Sequence, residues 1–201
     1  MNNDLLVDAE TLREQVREKY REVAIAPHGE HHFHTGRPLA ARLGYDLGVV
    51  EALPDRAVES FAGVGNPFSL RRLSPGEKIV DIGSGAGFDS FIAGGQVTAT
   101  GQVVGIDMTS EMLAKSRETA RTLGLSNVEF LDGLAEAIPV ADSWADAVIS
   151  NGVINLCADK QAAFAEIRRV LRPGGTLQFA DIANGLPVPL EALRDVDLWT
   201  G

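Results

Sequence analysis

Short apolar runs alternate with segments of helical periodicity along the chain from residue 77 onward. The apolar runs are predicted to form strands over 78–82, 102–106, 128–131, 145–150 and 176–182. Helices are predicted between them, beginning at Phe88, at Thr109 or Ser110 and after Asp159, and a last one over 189–198. Short buried strands joined by helices form parallel sheets covered on both faces, so this pattern predicts a doubly wound, Rossmann-like α/β fold.

A different pattern occupies residues 1–75. Residues 9–24 are predicted to form an amphipathic helix with Leu12, Val16 and Tyr20 on one face. Residues 27–75 contain short helical pieces that prolines and glycines interrupt, and Asn66-Pro67 is typical of an N-cap followed by proline at the first helical position. We therefore divide the chain into a helical extension and cap, 1–75, and a sheet domain, 76–201.

Composition narrows the classes of partner. The chain has 18 Lys and Arg against 28 Asp and Glu, and a formal net charge of −10, which argues against binding to nucleic acid. Its one cysteine excludes an internal disulfide and fits a reducing compartment. The N-terminus does not resemble a signal peptide, and no apolar run is long enough to span a membrane. We expect a cytoplasmic protein without a membrane or nucleic-acid partner.

A glycine-rich loop, Gly83-Ser84-Gly85-Ala86-Gly87, follows the first predicted strand and opens a helix. Glycines there permit positive φ and let a ligand approach the backbone closely. The G-x-G-x-G spacing disfavours a pyrophosphate-binding loop, whose pattern is G-x-G-x-x-G, without excluding it. Asp107 ends the second strand, where a carboxylate would bind the hydroxyls of an adenosine ribose. A tight strand-to-helix turn also favours glycine, so a purely structural loop stays open as an alternative.

Several motifs together resemble the arsenite methyltransferases. They are the segments 81–89, 105–109, 150–156 and 169–175, together with Gly65-Asn66-Pro67. The resemblance implies a class I methyltransferase fold that binds S-adenosyl-L-methionine and releases S-adenosyl-L-homocysteine. This class usually ends in two antiparallel strands, for which we find no pattern after the fifth predicted strand.

The resemblance also implies roles for individual residues. The loop from Gly83 to Gly87 would hold the methionine part of the cofactor and Asp107 its ribose, while Met108, Leu134 and Ala135 would contact the adenine. Tyr20 matches a tyrosine that closes over the cofactor, although a plain core aromatic is an equal alternative. The implied cofactor-binding set is Tyr20, Asp81, Gly83, Ser84, Gly85, Gly87, Asp107, Met108, Leu134, Ala135 and Asn151.

The departures from the family concern its acceptor. Arsenite methyltransferases bind the metalloid with cysteine thiolates, and two of those cysteine positions are Val64 and Gly152 here. Cys157 stands where the family has no ligand. Because one thiol cannot form a three-thiolate site, we expect an acceptor other than arsenite.

All four histidines lie between residues 28 and 34, in the segment that the family uses beside its acceptor. They fit a solvated loop, a general base or substrate contact, or a metal site. We select His32, His34 and Asn151 as acceptor-side candidates and assign no metal ligand. Asp89 lies near the reacting centre or simply stabilises the start of its helix.

These observations predict a methyltransferase that acts on a small molecule. A catalytically impaired cofactor-binding protein, or a metalloid or thiol methyltransferase with a non-cysteine acceptor site, are the alternatives. The loop spacing and Met108 argue against an NAD-dependent oxidoreductase. An exposed sheet edge after the fifth strand would allow a homodimer.

Overall fold

The structure of the chain is a computed structural model that describes residues 8–29, 33–183 and 185. Its strands are β1 (Lys78–Ile82), β2 (Gln102–Asp107), β3 (Val128–Asp132), β4 (Ala145–Asn151) and β5 (Leu171–Ala180). All five pair in parallel in the order β3-β2-β1-β4-β5. The chain moves outward to one side of β1 and then to the other, which is the doubly wound topology that the sequence predicts.

Helices occupy both the N-terminal part and the connections between strands. They are α1 (Ala9–Ile25), α2 (Gly36–Arg42), α3 (Leu47–Ala52), α4 (Asp55–Val58), α5 (Phe88–Val97), α6 (Ser110–Leu123) and α7 (Lys160–Val170). Short 3-10 turns cover Pro67–Ser69 and Ile154–Leu156. The predicted caps are confirmed: Asp159 accepts from the N–H of Ala162, and Gly124 ends α6 in the left-handed region. The helix predicted over 189–198 lies outside the described residues.

The fifth strand differs from its prediction at both ends. Leu171 pairs with Ala145, the register then shifts, and pairing resumes between Thr176 and Ala147. Gly174 has a φ of +82° within the shift. The pattern of apolar residues marks only the regularly paired part of β5, because the residues of an irregular segment do not alternate between two faces.

The N-terminal segments share their core with the sheet. Tyr45 and Phe61, from the part of the chain before β1, pack in one buried cluster with Ile79 of β1 and Phe91 of α5. A second cluster, with Val80 and Ile167, covers the opposite face of the sheet. The division at residue 75 stays a prediction, but the two parts meet in one continuous hydrophobic layer.

Helix α1 lies against α6 and is held there by polar contacts as well as apolar ones. Val23 and Ala24 pack against Met112, and Arg21 pairs with Glu111 at 3.0 Å. The Lys115 ammonium donates to the carbonyl of Ala24 at 3.0 Å, which ties the C-terminal end of α1 to α6. Helix α1 is thereby held over the carboxyl ends of the strands.

Within the described residues, no helix has the length and apolar character needed to cross a membrane. Strand β5 is an edge strand of the described sheet. The homodimer expected through such an edge stays a prediction.

Two glycines near α5 give a matched test of this packing. A Cβ at Gly87, whose φ is +95°, would lie 2.7 Å from the Phe91 ring and 2.8 Å from that of Phe130. A Cβ at Gly95, inside α5, would meet nothing within 4 Å. We expect Gly87→Ala to lower the free energy of unfolding by about 2 kcal/mol or more. Gly95→Ala is expected to raise it by about 0.5–1 kcal/mol. Urea denaturation of both variants checks this, and equal effects would contradict the packing described.

Candidate active site

A cavity opens at the carboxyl ends of the central strands, where open α/β sheets bind ligands. It encloses about 1060 Å³ including its open mouth. The walls come from α1, from the loops after β1 and β2, and from the segment after β4. Of the predicted cofactor-binding residues, Tyr20, Asp81, Gly83, Ser84, Gly85, Asp107, Met108, Leu134, Ala135 and Asn151 all line it.

The three glycine positions of the loop require glycine for different physical reasons. A Cβ at Gly83 would overlap the side chain of Val153, and one at Gly87 would overlap the rings of Phe91 and Phe130. Gly87 is absent from the cavity wall, so its glycine serves packing. A Cβ at Gly85 would meet only the sulfur of Met112, at 3.9 Å, and would enter the cavity. Gly85 is therefore the glycine that leaves room for a ligand against the backbone.

The Asp107 carboxylate braces this loop. One oxygen accepts from the N–H of Gly85 at 2.8 Å and the other from the N–H of Thr109 at 2.8 Å. Burial raises the pKa of Asp107, while these bonds favour the charged form. Each carboxylate oxygen can accept a further bond, so Asp107 is able to bind ribose hydroxyls while it holds the loop.

Apolar side chains form the wall beyond Asp107. Met108, Leu134 and Ala135 line the cavity there, and Tyr20 of α1 lines it too and packs against the same hydrophobic cluster as Met108. Tyr20 stacks on Phe33 with ring centroids 6.2 Å apart, and burial raises the pKa of Tyr20 to about 12. Such a slot suits an adenine ring between apolar surfaces.

Sequence analysis missed an ion pair at this end of the cavity. Arg13 of α1 lies 3.4 Å from a carboxylate oxygen of Glu136, and both residues line the cavity. Arg13 lies two helical turns before Tyr20, so helical spacing places both side chains on one face and offered a signal. Glu136 follows the Leu134-Ala135 pair directly but matches no motif that we used.

A buried polar network occupies the opposite end of the cavity. Asp89 accepts from the Tyr45 hydroxyl at 2.8 Å and from the Asn151 amide nitrogen at 3.1 Å. Asn151 also donates to the carbonyl of Gly65 and accepts from the N–H groups of Val64 and Gly65 at 2.8 and 3.1 Å. These bonds hold the 63–65 segment against the end of β4.

The Asn151 amide is fully engaged within the protein. It has two N–H bonds to donate and an oxygen with two lone pairs, and the network uses all of them. Its predicted contact with the acceptor or the cofactor stays a prediction. The structure gives it a positioning role in addition.

Two carboxyls in the network have raised pKa values. Burial raises the pKa of Asp89 to about 6, against the opposing effect of the bonds from Asn151 and Tyr45. Burial, and after it the charge of Asp89, raises the pKa of Asp81 well above its usual range, although the Ser90 hydroxyl donates to Asp81 at 2.5 Å. The pair holds one negative charge more readily than two.

Val64 and Gly152, the two positions at which the resemblance implies cysteine in arsenite methyltransferases, lie side by side. A Cβ at Gly152 would be 3.3 Å from the Val64 side chain. The third group to consider is Cys157, which lines the cavity and contacts the carbonyl of Val153 at 3.6 Å. Burial raises the pKa of the Cys157 thiol to about 12, so it is protonated at neutral pH.

His34 lies outside the cavity. It lines a separate depression with His28, Phe33 and Arg42. His32 lies outside the described residues, and the described residues contain no cluster of three metal-ligating side chains. The acceptor-side roles of both histidines stay predictions.

S-Adenosylmethionine fits this cavity in shape and charge. Gly85 leaves backbone space, the Ser84 hydroxyl is buried without a hydrogen-bond partner among the described residues, and Asp107 lies beside an apolar slot. The carboxyl pair of Asp81 and Asp89, which holds one negative charge more readily than two, lines the cavity near the loop and complements a ligand with a sulfonium and an ammonium group.

Relatives of the chain are methyltransferases. The arsenite methyltransferase of Halobacterium salinarum is 39% identical over 208 residues, which cover 96% of this chain and 53% of that protein. The crystal structure of an arsenic(III) S-adenosylmethionine methyltransferase from Chlamydomonas reinhardtii is similar, with a TM-score of 0.66, 35% identity, and coverage of 72% of this chain and 51% of that one. A SAM-dependent methyltransferase from Aquifex aeolicus has a TM-score of 0.55 and 27% identity over 63% of this chain and 70% of its own.

This chain thus spans about half the length of the Halobacterium relative. A family model described as a methyltransferase domain matches residues 73–197, which include β1 to β5 and the loop that forms the cavity. Because the match covers more than half of the chain, the chain belongs to the family of S-adenosylmethionine-dependent class I methyltransferase domains.

Proposed function

We propose that this chain transfers the methyl group of S-adenosylmethionine to a small-molecule acceptor other than arsenite. The observation that carries the proposal is the arrangement of Gly85 and Asp107 around one open, partly apolar cavity. The open space beside the Gly85 backbone supports a site for the methionine part, and the Asp107 carboxylate, which lines the same cavity, supports a site for the ribose. Both groups are held by bonds within the protein, so little ordering is needed when the cofactor binds.

The residues of the site contribute alignment and exclusion of water. When bound, S-adenosylmethionine supplies a methyl group that is activated by its sulfonium. Transfer from a sulfonium is an in-line displacement that depends mainly on orientation and desolvation. Val16 and Tyr20 of helix α1 line the cavity, and Gly63 lines it from the N-terminal part of the chain. We propose that the loop and Asp107 orient the cofactor and that the side chains around them exclude water from it.

We give the name acceptor wall to Val64, Gly152 and Cys157, and the chemistry of these residues argues against arsenite as the acceptor. Trivalent arsenic prefers soft thiolate ligands. Val64 and Gly152 form adjacent apolar positions, and Cys157 is a buried, protonated thiol. The name of the Halobacterium relative favours arsenite, but the wall of this chain lacks the thiolates that would bind it. An uncharged acceptor with an apolar body suits this wall better.

A cofactor-binding protein without transferase activity is the second candidate. One observation favours it: the Asn151 amide, which bonds to Val64 and Gly65, uses its whole hydrogen-bonding capacity within the protein. A screen of thiols, phenols, amines and arsenite with labelled cofactor separates the two candidates. Transfer to at least one compound supports the enzyme, and transfer to none favours the binding protein.

Substitution of Asp107 tests the proposed cofactor site. Asp107→Ala removes a charge-assisted contact to the ribose and the brace of the Gly85 N–H. We expect it to weaken binding of S-adenosylhomocysteine about 10- to 100-fold, as judged by calorimetry.

Asp132→Ala is the matched control, because Asp132 pairs with Asp107 in the neighbouring strand yet is exposed and outside the cavity. We expect it to leave the affinity unchanged. If the wild-type protein does not bind S-adenosylhomocysteine, or if both variants behave alike, the proposed cofactor site is wrong.

Substitution of Val64 and Gly152 tests the acceptor wall. Because positions 64 and 152 are in contact, Val64→Cys combined with Gly152→Cys should place two thiols side by side. We expect the double variant to bind phenylarsine oxide about tenfold or more tightly than the wild type, as measured by calorimetry.

The corresponding double serine variant controls for size and for the strain at Gly152, whose φ is +74°. Binding of S-adenosylhomocysteine verifies that each variant is folded. Release of S-adenosylhomocysteine by the wild type in the presence of arsenite would overturn our exclusion of that acceptor.

A further inference from the structure

Three carboxyls line the cavity without a basic partner. Asp81 and Asp89 have exposed fractions of 2% and 7%, and Asp107 is half-buried at the end of β2. None of the three forms an ion pair with a lysine, arginine or histidine within residues 8–29, 33–183 and 185. Arg13, which shares the cavity, is paired with Glu136. A buried charge without a partner is costly, so a cationic ligand is the missing partner that this cavity favours.

Of the three carboxyls, we infer that Asp89 carries the negative charge near the loop that would hold the methionine part of the cofactor. Asp107 uses both oxygens to brace Gly85 and Thr109 at the ribose end. Asp81 is the more deeply buried carboxyl of its pair, and burial, and after it the charge of Asp89, raises the pKa of Asp81 well above its usual range. Asp89 instead accepts from the Tyr45 hydroxyl and the Asn151 amide, and both bonds stabilise a carboxylate.

The position of Asp89 in the cavity leads us to expect it near the sulfonium of a bound cofactor. In S-adenosylmethionine the sulfonium joins the ribose to the methionine chain, so it lies between the group that binds the ribose and the loop that holds the methionine. Asp89 lies two residues after Gly87, lines the cavity, and is linked by Asn151 to Val64. The ammonium and carboxylate of the methionine are the same in substrate and product, whereas the sulfur is charged only before transfer.

We propose that the Asp89 carboxylate, held by Tyr45 and Asn151, supplies the countercharge for the sulfonium and makes the site prefer S-adenosylmethionine to S-adenosylhomocysteine. The inference rests on the proposed function, because it assumes that this cofactor binds in the cavity. Transfer would form a bond between an electron pair of the acceptor and the methyl carbon while the sulfur–methyl bond breaks, and the electron pair of the broken bond would stay on the sulfur, which becomes neutral. Asp89 then loses its partner, which favours release of the product.

The charge preference depends on pH through Asp89. Its pKa is about 6 because of burial, so in the free protein the carboxylate is formed above about pH 6 and protonated below it. The neighbouring titratable groups are Asp81 on β1 and Tyr45 before α3. Burial raises the pKa of Asp81 and the pKa of Tyr45, so the ionised form of each is disfavoured beside Asp89. Asp107, which would bind the ribose of both ligands, is the third carboxyl of the cavity, and the substitutions at Asp89 distinguish the effect of Asp89 on the ratio from that of Asp107.

The test compares the two ligands by calorimetry between about pH 5 and about pH 8. For the wild type, we expect the Kd of S-adenosylmethionine relative to that of S-adenosylhomocysteine to rise about tenfold as pH falls from about 7 to about 5. This ratio needs no acceptor and no variant. A ratio that is constant across this range overturns the inference.

Substitutions locate the effect on Asp89. We expect Asp89→Asn to raise the ratio about tenfold at about pH 8 and to abolish its pH dependence. Asp89→Glu, which keeps the charge, should retain the pH dependence. Asp132→Asn removes one negative charge outside the cavity and should change neither quantity, which controls for net charge.

The outcomes separate this inference from the function on which it rests. If neither ligand binds the wild type, the proposed function fails. If both bind and the ratio responds to neither pH nor Asp89→Asn, only the role of Asp89 fails. Should Asp89→Asn not fold, the wild-type series alone supports or overturns the inference.

Discussion

Parallel pairing in register is the constraint on which the site depends. Ile82 of β1 lies opposite Ile106 of β2 and Ser150 of β4, so the next residues of all three strands emerge at the same edge of the sheet. Those residues are Gly83, Asp107 and Asn151. Because every backbone group within the sheet is committed to its neighbours, the groups that first become free to bind a ligand lie together at that edge.

The part of the site proposed to bind the methyl donor, around Gly85 and Asp107, forms because that alignment brings the ends of β1 and β2 together. Asp107 reaches across from β2 to the N–H of Gly85, and the glycines on either side pack too tightly to accept a Cβ. The loop therefore has its ligand-binding shape before the ligand arrives. Such preorganisation reduces the ordering cost of binding and explains why small changes in the loop would be felt as changes in affinity.

The acceptor half depends on contacts between distant parts of the chain. Asn151 holds the 63–65 segment through bonds to Val64 and Gly65, and Tyr45 completes the network around Asp89. The N-terminal part is thus more than a cover, since it supplies one wall of the cavity and part of its electrostatics. The absence of thiolates from that wall and the buried charge of Asp89 together suit transfer from a cation to an uncharged acceptor.

The elements and most of the donor site could be predicted from the sequence, because they depend on local periodicity and on residues close to strand ends. The strands β1 to β4, the helix α1 and the roles suggested for Gly85 and Asp107 follow from such signals. The irregular start of β5 could not be predicted, since a register shift leaves no alternating pattern. At Gly87 the motif correctly indicates a position that needs glycine, but the structure shows that the reason is packing against two aromatic rings.

The sequence alone thus determined the fold and the donor, since backbone propensity and a compact loop motif carry that information over a few residues. Only the tertiary structure decided which polar groups remain available to a ligand. Tyr45 and Asn151 are 106 positions apart, and nothing in their neighbourhoods signals a bond between them. Hydrogen-bonding capacity, burial and the charge state of Asp89 are set by such contacts, because each depends on what the rest of the chain places around a side chain.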